Sequence, residues 1–248
     1  RLAKYVGLDG EDVMFSGNFL SDDDIKQGLE SGVIFNLDDI SLLPRLLKFG
    51  KPEPLSFRVN PGYGKSNVGE YVTNAGPNAK FGIHPDKVID AYRMAKEAGM
   101  KYAVLTTKHH EGFCLFDSKY TDYKSTNTPY GKDIIREFVD AFRAEGIRIG
   151  FYYSLIDWHH PHFPIDIFHP LRTHPDGEEL NKHRDIAIYR EYLHNQVREL
   201  MTNYGKIDIM WWDYSQGDMS GEAWKAQELM QTCRDANPGV LFNNRLYA

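Results

Sequence analysis

Cysteine is nearly absent: the 248 residues contain two, Cys114 and Cys233. They lack metal-type spacing, so neither a disulfide framework nor a cysteine-based metal site is expected, and the fold should tolerate a reducing compartment. Long apolar runs are also missing. None approaches the roughly 18 to 20 residues needed to span a bilayer, and the opening stretch, Arg1 to Gly10, lacks the apolar centre of a signal peptide. The chain as given is therefore expected to be soluble, without a membrane partner and compatible with cytoplasmic expression; a processed secreted form is equally compatible. Basic residues are outnumbered, 29 Lys and Arg against 35 Asp and Glu, for a net charge of −6. With no stripe of Lys and Arg, a nucleic-acid partner is not expected. Repeats and low-complexity tracts are absent as well. What remains is ordinary globular composition, 42% hydrophobic and 26% charged, in a chain long enough to bury one large core or two small ones.

Short β-branched or aromatic runs alternate with amphipathic helical stretches, the pattern of parallel strands covered by crossover helices. Seven runs are evident: Val13 to Ser16, Val33 to Leu37, Leu55 to Val59, Tyr102 to Thr106, Ile147 to Tyr153, Ile207 to Trp212 and Val240 to Phe242. Between them, Ser21 to Glu30 opens with a Ser cap and an acidic first turn and stops at Gly32. Pro85 to Ala98 begins with Pro and ends at Gly99. Polar clusters follow almost every strand: Ser16-Gly17-Asn18, Asp38-Asp39, Asn60, His109-His110, Asp157 to His160, Asp213 and Asn243 to Arg245. Barrels build their sites from the loops at the carboxyl ends of their strands. The expected fold is thus α/β, a single TIM-type (β/α)8 barrel over 1–248 with seven strands in evidence. Pro161 to His183, rich in Pro, His and charge, reads as a long loop over the site or a tolerated surface loop.

From Tyr102 onward the stretches KYAVLTTKHHEGFCLFDSKYTDY, IRIGFYYSLIDWHHP, LMTNYGKIDIMWWDYS and VLFNNRL resemble glycoside hydrolase family 29, the α-L-fucosidases. Before Lys101, SGNFLSDDDIKQGLESGV, FNLDDISLLPRLL, SFRVNPG and AKFGIHPDKVIDAYRMAKEAGM resemble the pyridoxal-phosphate barrel of diaminopimelate decarboxylases. The two resemblances, over 1–101 and 102–248, imply a barrel chimera, engineered or recombined, or else a divergent natural fucosidase. Both families use parallel barrels, so an exchange at equivalent strand starts would keep helix-on-sheet packing intact.

The fucosidase resemblance implies retaining hydrolysis of α-L-fucosides, with fucose or a fucoside as ligand and Asp213 as nucleophile at the end of IDIMWW. Without it, an Asp after a strand is often a helix cap. It also implies that His109 and His110 hydrogen-bond sugar hydroxyls, that Tyr153 donates to the nucleophile, with core packing as the competing reading, and that Arg245 keeps that carboxylate ionised, a structural ion pair being the alternative. Trp158, Trp211 and Trp212 offer aromatic faces to the sugar or else fill the core; strand alternation puts Asp213 on the face of Trp211, but strand ends often twist or bulge, so which of Trp211 and Trp212 lines the site stays open. A metal held by His109 and His110 with His159, His160 and His162 is the weaker reading, since adjacent residues rarely both reach one ion. No residue here matches the family's first-strand His or its acid/base, and Glu111 and Glu222 are the nearest spare carboxylates, so weak or lost activity is expected. A catalytically silent scaffold is the alternative. No Lys matches the Schiff-base motif of the decarboxylases, so a residual pyridoxal-phosphate enzyme is the least favoured reading, and no cofactor is expected.

Overall fold

The computed structural model describes residues 2–17, 20–52, 55–59, 82–97, 99–215 and 218–247. Asn18 and Asn60, and the Ala98 end of the second expected helix, lie outside them. The chain divides into two compact units, Arg1–Lys101 and Tyr102–Ala248.

The first unit carries a parallel sheet in the order β1 (Met14–Phe15), β2 (Ile34–Leu37), β3 (Leu55–Phe57). Its helices are α1 (Leu2–Tyr5), α2 (Asp22–Glu30), α3 (Leu42–Leu46) and α4 (Val88–Glu97). The Ser21 cap forms a reciprocal box: its side chain accepts from the Asp24 N–H at 3.1 Å, and the Asp24 carboxylate accepts from the Ser21 N–H at 2.9 Å. Two donors with no intrahelical partner are thereby satisfied. Phe35 and Leu37, alternate residues of β2, are fully buried with Ile25 of α2 and Leu43 of α3, so one strand face carries this unit's core. Alternation also identifies these residues in the sequence.

The second unit holds a four-stranded parallel sheet in the order β4 (Tyr102–Lys108), β5 (Arg148–Ser154), β6 (Ile209–Asp213), β7 (Leu241–Phe242). Helix α5 (Ile134–Ala144) buries Ile135, Val139 and Phe142, spaced one apolar stripe apart. Helix α7 (Ile186–Asn203) buries Tyr189, Leu193, Gln196, Val197 and Leu200, and α8 (Ala226–Ala236) buries Leu229 and Cys233. Both cysteines are buried and free.

Among the described residues the seven strands fall inside or overlap the seven expected runs, each shifted by a residue or two at its ends. Pro161 to His183 departs more from expectation. It contains a short helix, α6 (Gly177–Lys182), and buries Phe163 and His169, because Arg184 donates to the carbonyl of Phe163 and the Asn181 side chain accepts from the Ile165 N–H at 2.8 Å.

Strand β5 carries Gly150 as its third residue, where a Cβ would stand 2.7 Å from Val104 Cγ2 and 3.1 Å from Ile209 Cβ. The two neighbouring strands therefore close over the position. Gly150→Val is expected to lower the unfolding free energy by about 1–3 kcal/mol through overpacking, read from urea melts. A melt superimposable on wild type would show that this space is not filled.

Candidate active site

Parallel pairing of β5 with β6 sets Tyr152 opposite Trp211 and Ser154 opposite Asp213. Successive side chains of a strand point to opposite faces, so Tyr152, Ser154, Trp211 and Asp213 share one face, while Tyr153 and Trp212 share the other. At the end of that face the Asp213 carboxylate accepts from the Tyr152 hydroxyl at 2.6 Å and from the Arg245 guanidinium at 2.6 Å. Burial pushes this carboxyl up, but the Tyr152 and Arg245 donors outweigh it and hold Asp213 below the usual carboxylate range. The same contact, added to burial, drives the Tyr152 phenol far above its ordinary value, so the phenol stays a donor. Arg245 is placed by Asn243, whose side-chain amide accepts from the Trp212 N–H at 3.0 Å and donates to the Trp212 carbonyl at 2.9 Å. The amide continues the β6–β7 ladder where the β7 backbone leaves it.

The two imidazoles stand on the same rim. The β4–β5 register shifts between Thr106 and Lys108, and the Thr107 hydroxyl donates to the Tyr152 carbonyl at 2.7 Å, a bulge of the kind that re-aims side chains at a strand end. His109 then lies parallel to the Tyr152 ring, centroids 5.7 Å apart and planes 9° apart, with its Nδ1 3.4 Å from Glu111 Oε2. His110 Nδ1 is 2.7 Å from Ser154 Oγ. The Ser154 hydroxyl already donates to the Ile156 carbonyl at 2.8 Å, so His110 Nδ1 carries the proton and its Nε2 is left as an acceptor. Burial and the neighbouring His109 both lower the pKa of His110 and keep it neutral. Trp158 and Tyr214 meet the His110 ring edge-on, with centroids 5.5 Å and 5.0 Å away. A neutral acceptor, an ionised carboxylate and aromatic walls on one rim suit a polyhydroxylated ligand with an apolar face.

The structure corrects the expectation for Tyr153. Its side chain is fully buried on the helix side of the sheet, where its hydroxyl donates to Gln196 Oε1 at 2.7 Å; Tyr152 occupies the position beside the nucleophile candidate. Trp212 is likewise fully buried on the helix side, ring against Phe242, whereas Trp211, on the Asp213 face, is 43% exposed. Alternation counted back from Asp213 distinguishes each pair in the sequence.

One arrangement left no sequence signal. Lys108, fully buried, makes a 3.1 Å ion pair with Asp157 and lies 4.5 Å from the centre of the Tyr153 ring. The second oxygen of Asp157 accepts from the N–H groups of His159 and His160 at 3.0 and 2.9 Å. A single carboxylate thus joins the end of β4, just before the paired histidines, to the loop after β5. Gly112 is required beside it: its φ is +84°, and a Cβ there would fall 2.2 Å from Asp157 Oδ1.

Among the described residues no group of three or more His, Cys, Asp or Glu is arranged to hold a metal ion. Of the described lysines, Lys108 is held in its buried ion pair, and Lys26 and Lys87 are surface side chains near Asp23 and Asp90.

The α-L-fucosidase family profile matches residues 81–248. The chain belongs to the α-L-fucosidase family. Residues 1–121 match a second profile, the pyridoxal-binding domain of pyridoxal-dependent decarboxylases. α-L-Fucosidase 1 of Arabidopsis thaliana is 35% identical over 129 residues, which are 51% of this chain and 22% of the relative. Diaminopimelate decarboxylase of Thermoplasma acidophilum is 37% identical over 99 residues, 39% of this chain and 23% of the relative. The chain thus spans about a quarter of the length of these relatives. Among solved structures, α-L-fucosidase isoenzyme 1 of Paenibacillus thiaminolyticus is 57% identical with a TM-score of 0.60, covering 64% of this chain and 38% of the other. The parallel α/β fold of this family member agrees with that likeness.

Lys108→Met leaves the buried Asp157 charge unpaired and is expected to cost about 3–5 kcal/mol. Lys108→Met/Asp157→Asn should recover part of that loss, since Asn keeps the acceptor for the His159 and His160 N–H groups. Additive losses in a denaturant double-mutant cycle would show that the two side chains do not interact.

Proposed function

We propose that the chain binds α-L-fucosides through the Asp213 rim and hydrolyses them with retention, Asp213 attacking the anomeric carbon. The observation carrying this reading is the Asp213 carboxylate, fixed by Tyr152 and Arg245 on the face it shares with the His109–His110 pair. A carboxylate held below its ordinary pKa is ionised at neutral pH and available as a nucleophile. In the first step it forms an ester bond to the sugar as the bond to the aglycone oxygen breaks; water then releases the sugar and restores the carboxylate. His110 Nε2, a lone-pair acceptor, orients a sugar hydroxyl, and Trp158 and Trp211 supply apolar faces to the ring and its methyl group.

Names attached to similar structures support this ligand class. The Lactobacillus casei α-L-fucosidase was solved with α-L-fucose as product, a mutant of it with 4-nitrophenyl α-L-fucopyranoside, and a bacterial fucosidase with a phenyltriazole-bearing dihydroxy-methylpyrrolidine inhibitor. The match of residues 1–121 to a different family favours a second reading, a chimeric barrel that folds but does not turn over fucosides.

On 4-nitrophenyl α-L-fucoside, whose leaving group needs little protonation, slow hydrolysis is expected, and Asp213→Ala should lower it roughly 10³-fold or more. Tyr152→Phe removes a donor that favours the charged carboxylate, so Asp213 should take up its proton at higher pH and the acid limb of kcat/KM should move upward. Cooperative melting without turnover or a fucose-dependent thermal shift would instead establish the scaffold reading.

A further inference from the structure

The stretch from Trp158 to Asp185 closes its turns with imidazoles. His160 Nδ1 accepts from the His162 N–H at 3.2 Å, His162 Nδ1 from the Asp185 N–H at 3.3 Å, His169 Nδ1 from the Leu171 N–H at 3.0 Å and His174 Nδ1 from the Asp176 N–H at 3.2 Å. Except at His162, the bond runs two residues forward along the chain, the link that an Asn or Asp side chain makes in a turn. An imidazole fills that place only while Nδ1 keeps its lone pair, so each bond requires a neutral ring with its proton on Nε2. A second proton would set N–H against N–H at every closure.

Two of these rings also lie where a charge is costly. His169 is 1% exposed; burial and Arg184 push its pKa down, and Asp166 and the Trp158 carbonyl oppose them less strongly. His160 packs against the Tyr189 and Tyr192 rings of α7, centroids 5.2 and 4.4 Å away. Burial, with Lys108, His162 and His159, carries it down to about 4 against the pull of Asp157. A base whose pKa falls on folding takes its proton more readily when its surroundings open. The closures are therefore at full strength above pH 6.5, the ordinary value of His160, and weaken as the pH falls toward about 4. The stretch is tied to the rim at its start, where the Trp158 N–H donates to the His110 carbonyl at 2.8 Å and the His159 and His160 N–H groups hold Asp157. Loosening it moves an aromatic wall of the site, whereas the backbone ladder of β4 to β7 depends on no imidazole.

We propose that Trp158 to Asp185 is an acid-released segment, ordered while His160 and His169 are neutral and freed when they gain protons, so that mildly acidic surroundings withdraw the Trp158 wall from the rim. The device does not depend on which ligand the rim takes.

The test is amide hydrogen exchange of the full chain at about pH 7.5 and about pH 5.5, read by mass spectrometry and corrected for the chemical exchange rate. Peptides within 160–176 are expected to open about tenfold more often at the lower pH, the change implied by a fall from 6.5 to about 4, with peptides of β5 and α5 unchanged. His160→Asn/His169→Asn keeps an acceptor for each N–H and cannot be charged, so the difference between the two conditions should vanish. No acceleration in wild type, equal acceleration in β5 and α5, or acceleration that persists in the double variant overturns the device. If the variant is loose in both conditions, imidazole nitrogen-15 shifts of the wild type decide: opening that follows the protonation of His160 and His169 upholds the device, and opening while both rings stay neutral overturns it.

Discussion

The register between β5 and β6 is the constraint on which the candidate site depends. Because strand side chains alternate with a period of two, a slip by one residue would exchange Tyr152 for Tyr153 and Trp211 for Trp212. The phenol beside Asp213 would then be replaced by one now committed to Gln196. What fixes the register lies on the helix side, where Phe151, Tyr153, Met210 and Trp212 are fully buried. None of them could move to the solvent-facing side without large apolar area returning to water. The packing of a face that never meets ligand thus decides the chemistry of the one that does.

The same division of labour appears at the end of β4. Lys108 and Asp157 lie beneath the rim, yet they tie the residue before the paired histidines to the loop that carries Trp158. Burying two charges is costly, and an apolar pair could serve stability as well. What an ion pair adds is direction, because each oxygen of Asp157 has its own donors and only one placement satisfies them all.

Much of the fold could be read from the sequence because its signals are local. The Ser21 cap with Asp24, the Pro85 and Gly99 limits and the apolar strand runs each depend on neighbours a few residues away. The site was less legible. The Trp-Asp ending of β6 and the paired histidines announce themselves as motifs, but Tyr152 is told from Tyr153 only by strand parity, and the Lys108–Asp157 contact spans 49 positions with no periodic signature. Buried polar pairs of this kind are set by three-dimensional geometry, so a sequence shows their members without showing that they meet. The helix within Pro161 to His183 buries none of its residues and so carries no apolar stripe, and the residues that anchor the segment, Asn181 and Arg184, lie at or beyond its far end.

Asn243 substitutes a side-chain amide for a peptide group against Trp212. A peptide in that place would oblige the backbone to run on straight beside β6, carrying Arg245 past Asp213. With the side chain closing the ladder instead, the main chain is released to bend, and the guanidinium comes round to the carboxylate from the open side. The cation that tunes Asp213 is in this way steered by a residue that never touches it.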